Sequence, residues 1–377
     1  MFRYMTAGES HGKGMMAILE GVPAGLKIDE KCINNELIRR MHGYGRGGRM
    51  KIEKDQIEII SGCRKGMTIG SPMGLVVINK DHKIDTLPEV KSPRPGHADL
   101  AGMQKYGFGD ARDVLERASA RESVAKVAAG SVAKLFLKEF CIRVTSHVTA
   151  IGDVKAQTDG LSFDEIEKFS DISRAKLRCA DKEAEKKMCN LVDEAAKEGD
   201  TLGGVFEVIV DNVLPGMGSY VQWDSRLDGR LARAIMSIPA VKGISIGNGI
   251  ECAYLKGSET HDPIVYEEKE KRLFRETNNA GGIEGGMSNG EAIRIRGFMK
   301  PIATLKKPLK SVNIDTKEAS RAATERSDVT AVPACGVIAE AVVAIEIASV
   351  LTEKFGSDSI EEIKRNYNGY IEQLKNM

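Results

Sequence analysis

The stretch that decides the fold lies near the end of the chain and reads VIAEAVVAIEIASVLTEKF, residues 337–355. Apolar residues fill most of its positions, and the pattern predicts an apolar helix that Gly356 terminates. A second long helix is predicted over residues 111–140, where apolar side chains recur at intervals of three and four. These two helices are the longest elements that the sequence predicts.

Short strands are predicted around these helices, over residues 15–19, 56–60, 75–78, 142–148, 205–210 and 293–296. Further helices are predicted over 181–197, from the cap residue Asp224 to Ile238, and after a capping box formed by Ser359 and Glu362. Strands and helices intermingle without the regular alternation of a doubly wound fold. We therefore expect an α/β protein with antiparallel sheets, folded as one large domain over residues 1–377.

Composition places the chain among ordinary globular proteins. The 377 residues include 55 Lys+Arg and 54 Asp+Glu, for a formal charge of +1, and 42% are hydrophobic. A nearly neutral protein is not expected to coat nucleic acid or an anionic membrane over its whole surface. No run of eighteen apolar residues occurs, so no membrane-spanning helix is predicted, and residues 1–9 lack the apolar core of a secretory signal. The sequence predicts a cytoplasmic protein.

The cysteines and histidines predict no metal site. Seven cysteines lie at least ten residues apart without a CxxC pair, and six histidines show no HxH or HxxxH spacing. We expect reduced thiols that serve mostly as buried apolar fillers.

Cations are concentrated in residues 39–51, which hold five of them and no acid. Glycines in this segment let backbone amides approach a ligand, and arginine guanidinium groups bind carboxylate or phosphate through paired hydrogen bonds. The segment does not fit a Walker motif. Three hypotheses stay open from the residues alone: an anion site, a surface loop with solvated arginines, and an RNA-binding loop with Tyr44 as its one nearby aromatic.

Two further segments are candidates for ligand binding. Arg117 and Arg121 are four residues apart and share one face of the predicted helix, so they form either a second anion site or ion pairs with Asp113 and Glu122. Residues 281–290 include five glycines, a density that suits a loop pressed against a ligand.

Two acid–base candidates stand in loops. Asp328 follows Arg326 closely and is either a functional acid, a helix cap or a member of a loop ion pair. His11 lies between Ser10 and Gly12, just before a predicted strand, and is either a proton donor or an ordinary loop histidine.

Taken together, these blocks resemble the chorismate synthase family. The residues Gly8-Glu9-Ser10-His11-Gly12, the block 116–123, and Arg326-Ser327-Asp328 with downstream Glu340 are similar to its three signatures. Further similar blocks, in family order, are 43–47, 94–99, 240–243, 280–290 and 300–301. Asn279 and Ser327 stand where family members often carry His, so neither is given a catalytic role.

The resemblance implies a lyase that converts 5-enolpyruvylshikimate 3-phosphate to chorismate and phosphate by 1,4-trans elimination, in the shikimate pathway of aromatic amino-acid biosynthesis. It also implies reduced FMN as cofactor, a β-α-β sandwich with helices between antiparallel sheets, and a homotetramer. The chain lacks room for a separate flavin-reductase domain, so an external flavin reductase is expected, with NADPH left open as reductant. An FMN-dependent oxidoreductase and an RNA-binding protein remain the alternatives.

The resemblance also assigns site residues. The catalytic residues would be His11 at the leaving phosphate, His97 facing the flavin, and Asp328 near flavin N5. FMN contacts would fall on Arg117, Ala118, Ser119, Pro239, Ala240, Gly285, Lys300, Pro301, Ile302, Ala303, Thr304 and Arg326. Anionic groups of substrate or NADPH would be bound by Arg40 and Arg46, with substrate favoured, and further substrate contacts would be Ser10, Arg49 and Arg121.

Overall fold

The computed structural model describes residues 2–47, 55–170, 174–269, 272–325 and 327–376. The strands are β1 (Arg3–Gly8), β2 (Gly14–Glu20), β3 (Glu58–Ser61), β4 (Cys63–Arg64), β5 (Met67–Thr68), β6 (Met73–Ile78), β7 (Arg143–Ile151), β8 (Val154–Lys155), β9 (Gly204–Asp211), β10 (Val241–Ile246), β11 (Ile264–Glu267), β12 (Arg272–Arg275), β13 (Ile283–Glu284), β14 (Met287–Ser288), β15 (Ile293–Met299), β16 (Lys310–Val312) and β17 (Ala319–Arg321). The helices are α1 (Glu30–Met41), α2 (Asp99–Tyr106), α3 (Arg112–Ala118), α4 (Ser123–Lys138), α5 (Phe163–Glu167), α6 (Lys182–Glu198), α7 (Leu227–Met236), α8 (Gly249–Cys252), α9 (Gly257–Thr260), α10 (Val332–Phe355) and α11 (Ile360–Lys375).

Two larger sheets form the outer layers. The first has the strand order β1-β2-β6-β3, and the second has the order β10-β15-β9-β7-β8. Neighbouring strands in both sheets are antiparallel. In β15, Ile293 and Ile295 are buried while Arg294 and Arg296 are partly exposed, because successive side chains of a strand point to opposite faces. Each sheet therefore turns one face toward a shared core.

The helices α4 and α10 fill the space between the two sheets. α4 packs on β2 and β6, α10 packs on β7 and β9, and the two helices make the most extensive contact between described elements that are not paired strands. Gly130 of α4 faces Ala341 of α10 so closely that a Cβ on Gly130 would lie 2.3 Å from the Ala341 Cβ. The predicted sandwich with helices between antiparallel sheets is confirmed.

The helix α10 is long and apolar enough to cross a membrane, with a mean hydropathy of 2.1 in its most apolar window. A count of uninterrupted apolar residues overlooks it, because Glu340 and Glu346 divide the run. However, 94% of that window is buried inside the protein. Contact with α4 and the second sheet explains the apolar composition, as in the core helix of a soluble protein.

A buried carboxylate ties these layers together. Glu340 of α10 accepts hydrogen bonds from Arg39 of α1 at 2.8 and 2.9 Å, from Arg178 at 2.7 Å and from Ser146 of β7 at 2.6 Å, and it pairs with Lys134 of α4. Burial alone would raise the pKa of Glu340, but the charges of the three cations outweigh it and hold that pKa well below its usual range. Glu340 is therefore ionised in the folded protein.

The prediction of one helix over 111–140 is wrong. Ser119 is extended, with φ −63° and ψ 142°, and its hydroxyl accepts the N–H of Arg121 to begin a short 3₁₀ turn over Ala120–Glu122 before α4 starts. This break separates α3 from α4. Arg117 and Arg121 therefore do not share a face, since Arg117 is exposed and Arg121 is buried.

Two predicted helix starts also need correction. Asp224 lies in a 3₁₀ turn rather than at a cap, and α7 begins only at Leu227 without a side-chain cap. Ser359 does cap α11 by accepting the N–H of Glu362. The Glu362 carboxylate, however, accepts the N–H of Asp358 rather than that of Ser359, so the capping box is not closed.

All seven cysteines are free thiols, but only Cys179 and Cys335 are buried, so the expectation that most of them fill the core is wrong. Cys141 is exposed and the others are partly buried. Over the part of the chain that the structure describes, no group of three His, Cys, Asp or Glu side chains is placed to hold a metal ion.

We expect Gly130→Ala to lower the free energy of unfolding by about 1–3 kcal/mol, because the new methyl group collides with α10. Alanine normally stabilises a helix interior by about 1 kcal/mol relative to glycine. The matched control is Gly369→Ala in α11, where a Cβ meets nothing within 4 Å, and this variant should be more stable than the parent. Urea denaturation measures both. Equal effects at the two positions would contradict the close approach of α4 and α10.

Candidate active site

A cavity of about 450 Å³ lies where several separate chain segments converge. The segments are the β1–β2 loop, the end of α1 and the loop after it, the loop before α2, the turn between α3 and α4, the loop before β10, the segment after β15, and the residues before α10. Fifteen of the assigned residues line it: Ser10, His11, Arg40, Arg46, His97, Ala118, Ser119, Arg121, Pro239, Ala240, Lys300, Ile302, Ala303, Thr304 and Asp328. Apolar side chains complete the wall: Leu115, Ile238, Met299 and Ile338.

Three assigned residues lie off this cavity. Arg117 donates hydrogen bonds to the carbonyl oxygens of Gly8 and Thr6 on β1, each at 3.0 Å. Gly285 lies in the turn between β13 and β14, and Pro301 is exposed next to residues that line the cavity. Two further assigned residues, Arg49 and Arg326, lie outside the described residues.

The carboxylate of Glu116 holds His11. The His11 Nδ1 lies 3.0 Å from Oε1 of Glu116, and the His11 backbone N–H donates to Oε2 at 2.8 Å. Burial would raise the pKa of Glu116, but hydrogen bonds from His11 outweigh it and lower that pKa. Because an ionised carboxylate only accepts, Nδ1 carries the proton of this bond and Nε2 is the nitrogen left for a ligand.

A second histidine is held in the same way. The Nδ1 of His97 lies 2.5 Å from Oδ1 of Asp99, and Nε of Arg94 donates to Oδ2 of the same fully buried carboxylate at 2.8 Å. Burial would raise the pKa of Asp99, but hydrogen bonds from His97 and Arg94 hold it well below its usual range. Arg94 in turn donates to the hydroxyl of Thr304 at 2.9 Å, which joins the loop before α2 to the segment after β15.

Arg46 and Asp328 form an ion pair. The Nη1 of Arg46 lies 2.6 Å from Oδ2 of Asp328, and Oδ1 of Asp328 accepts the backbone N–H of Gly47 at 2.5 Å. The helix α10 begins at Val332, after Ala331, and has no side-chain cap. The explanation of Asp328 as a helix cap is therefore wrong. A residue assigned to substrate binding and one assigned to catalysis are in direct contact.

Arg40 and Arg121 share the buried carboxylate of Asp55, at 3.0 Å and 2.7 Å respectively. Arg121 also donates from Nε to the side-chain oxygen of Asn79 at 2.9 Å. The amide of Asn79 donates to the carbonyl oxygen of Ser10 at 3.3 Å. These contacts connect the end of α1, the turn before α4 and the β1–β2 loop.

Three glycines of residues 281–290, namely Gly281, Gly282 and Gly286, lie close to the protein's own backbone, whereas a Cβ on Gly285 would meet nothing within 4 Å. A Cβ on Gly281, at φ +63°, would lie 2.3 Å from the nitrogen of Gly247, and one on Gly282, at φ +77°, would lie 2.7 Å from the oxygen of Ala292. None of these residues lines the cavity. Close approach of one backbone segment to another thus explains Gly281 and Gly282, and the contact of this loop with a ligand stays a prediction.

The structure adds five side chains to the assigned set: Asp55, Asn79, Arg94, Asp99 and Glu116. Three of them stand inside the matched blocks 94–99 and 116–123, and their spacing from the histidines was a usable signal. Asp55 and Asn79 belong to no block, and only the folded chain brings them to the site.

Comparisons with known proteins identify the family of the chain. The family model described as chorismate synthase matches residues 2–352. Chorismate synthases of Geobacter metallireducens and Carboxydothermus hydrogenoformans are each 52% identical to the chain, and that of Koribacter versatilis is 51% identical, with full coverage of both sequences. A crystal structure of chorismate synthase, 40% identical, superposes with a TM-score of 0.83 over 100% of this chain and 99% of that one. The chain therefore belongs to the chorismate synthase family.

Proposed function

We propose that the cavity binds 5-enolpyruvylshikimate 3-phosphate beside reduced FMN and that its own side chains guide the loss of phosphate. Family membership makes the chain a lyase of the shikimate pathway that forms chorismate, and it implies a requirement for reduced flavin. Neither of the alternatives, an FMN-dependent oxidoreductase or an RNA-binding protein, is supported by the family. The observation that carries the proposal is the convergence of separate cationic segments on one cavity.

The lining fits these ligands by charge. The substrate carries two carboxylates and a phosphate, and FMN adds another phosphate. Five described cations line the cavity: Arg40, Arg46, Arg94, Arg121 and Lys300. Guanidinium and ammonium groups in a partly enclosed site bind such anions strongly, since few waters compete. Apolar residues such as Met299 and Ile338 offer a surface for a ring system.

His11 is proposed to meet the leaving phosphate. The Glu116 carboxylate, ionised and buried, fixes the orientation of the His11 ring through Nδ1. With Nδ1 committed to Glu116, Nε2 is placed to donate a hydrogen bond or a proton to an oxygen as its bond to carbon breaks.

His97 is proposed to face the flavin. Asp99 fixes His97 through Nδ1, and Lys300 donates to the carbonyl oxygen of Gly96, so that two cationic or proton-donating groups lie close together. Such groups stabilise an anionic reduced ring. When bound, the reduced flavin would supply the electron density that a 1,4-elimination needs and that no pair of side chains provides.

Asp328 is proposed to take part in moving the substrate proton. Its pairing with Arg46 means that an anionic group that binds Arg46 competes with the Asp328 carboxylate for the same guanidinium. Substrate binding would therefore weaken the ion pair between Arg46 and Asp328 and leave the Asp328 carboxylate available when a proton acceptor is needed. This coupling follows from the 2.6 Å contact and from the two assigned roles.

The direct test of the reaction is anaerobic turnover. We expect release of phosphate and formation of chorismate from the shikimate ester with chemically reduced FMN, and no release with oxidised FMN. Net consumption of reductant in proportion to product would instead indicate an oxidoreductase. NADPH consumption without an added reductase would show that the enzyme reduces its own flavin.

We expect Asp328→Asn to slow turnover by roughly 10²-fold, the scale for loss of a positioned acid–base group, with flavin affinity nearly unchanged. Asparagine keeps the shape of the side chain and still accepts the N–H of Gly47, but it takes up no proton. Anaerobic single-turnover rates and a thermal melt measure the effect. Ser327→Ala, a change in the adjacent cavity residue, is the control. A folded Asp328→Asn enzyme with the parent rate would refute the proposed role.

We expect Arg46→Ala to raise KM for the shikimate ester by about tenfold or more, since a charge-assisted contact to substrate is lost. The Kd for FMN should change far less. Tyr44→Phe is the matched control in the same loop, because the Tyr44 hydroxyl bonds Asp193 and does not line the cavity. Steady-state kinetics and flavin titration distinguish the constants. Equal losses in both would place Arg46 at the flavin.

We also propose that the chain assembles as a homotetramer in which the outer face of the first sheet is buried. Four apolar residues of that sheet are exposed in the single chain: Met5, Ile18, Ile60 and Ile78. Ile18→Lys should produce a smaller species in light scattering, whereas Ile18→Val should leave the mass unchanged. A tetramer that tolerates Ile18→Lys would show that this face is not an interface.

Three broader proposals complete the assignment. We propose that residues 1–377 form one domain, because one cluster of buried hydrophobic residues extends from Phe2 to Tyr367. Seven free thiols suit a reducing compartment, and we propose the cytoplasm. An external flavin reductase is proposed to supply the reduced FMN.

A further inference from the structure

Asp55 lies behind the cavity and receives one guanidinium on each of its oxygens. Its Oδ2 is 3.0 Å from Nη2 of Arg40, and its Oδ1 is 2.7 Å from Nη1 of Arg121. The Asp55 side chain is 0% exposed, and those of the two arginines are 5% and 3% exposed. Water therefore does little to screen the three charges from one another.

The two arginines need a shared anion to stay together. Burial lowers the pKa of Arg40 to about 10, the nearby charges of Arg121 and Arg46 also lower it, and Asp55 acts in the opposite direction. Burial would raise the pKa of Asp55, but Arg40 and Arg121 outweigh it and lower that pKa. Arg40 and Asp55 are therefore charged at neutral pH, and without Asp55 two buried guanidinium groups would lie together with no anion between them.

The remaining contacts fix the direction of each arginine. Arg40 donates from Nη1 to the hydroxyl of Ser123 at 3.2 Å, and Arg121 donates from Nε to Asn79 at 2.9 Å. The Nε of Arg40 is buried and has no hydrogen-bond partner among the described residues. Arg40 thus bonds the protein through both Nη atoms and Arg121 through Nε and Nη1, and both residues line the cavity.

We propose that Asp55 is a positioning residue for substrate: it orders Arg40 and Arg121 as a fixed pair that receives one anionic group, phosphate or carboxylate, of the shikimate ester. The inference rests on the proposed function, in which these two arginines contact substrate. Asp55 itself does not line the cavity and acts only through them. Because the pair is set before the substrate arrives, binding does not have to bring two like charges together.

Asp55→Asn tests the proposal, since asparagine has the same shape without the charge and turns an amide N–H toward one of the guanidinium groups. We expect KM for the shikimate ester to rise at least tenfold, while Kd for FMN stays within about twofold of the parent. The matched control is Glu207→Gln. Glu207 is also a buried carboxylate with two partners, His147 at 2.9 Å and Arg294 at 3.2 Å, and neither partner lines the cavity.

The control should lower the melting temperature without changing KM. A folded Asp55→Asn enzyme that behaves like the control, with parental KM, would overturn the proposal. Asp55→Glu keeps the charge and displaces it by one methylene, so it provides a folded enzyme if Asp55→Asn does not fold. Parental KM in Asp55→Glu would then overturn the proposal, and a rise of several-fold would support it. If Arg46→Ala also leaves KM unchanged, the proposed substrate site has failed rather than this inference alone.

Discussion

The fold depends on the buried carboxylate of Glu340. Its partners, Arg39, Lys134, Arg178 and Ser146, come from α1, α4, a loop and β7, so one side chain joins the helical layer to the second sheet. Breaking a buried ion pair by removing one partner typically costs about 3–5 kcal/mol, because the remaining charge is uncompensated. Here three cations would be left, which explains how an acid is retained in the middle of an apolar helix.

The same constraint organises the cavity. His11 is held by Glu116, His97 and Arg94 by Asp99, Arg46 by Asp328, and the pair Arg40 and Arg121 by Asp55. A nearly neutral chain thus gathers these groups around one cavity, and an acidic side chain of the same chain lies next to each of them. The acids keep the cationic groups in place, and orientation rather than excess charge is what the protein supplies.

Much of this arrangement was predictable from the sequence, but not all of it. The periodicity of residues 337–355 found the central helix, and motif resemblance found fifteen residues of one cavity. The apolar periodicity did not predict the break at Ser119, because the spacing of apolar residues continues across that residue. The hydroxyl of Ser119 accepts the N–H of Arg121, and this hydrogen bond favours a turn over a continuous helix. Asp55 carried no signal, since its partners are 15 and 66 residues away and only folding unites them.

The contact of Arg117 with β1 has a consequence for how copies of the chain meet. β1 is an edge strand of the first sheet, and edge strands present unpaired backbone groups on which another chain can add a strand. The Arg117 guanidinium occupies the carbonyl oxygens of Thr6 and Gly8 along this edge. A strand from another chain would have to displace a charged group that makes several hydrogen bonds before it could pair with β1. The Arg117 guanidinium thus opposes the addition of another strand at this margin of the sheet.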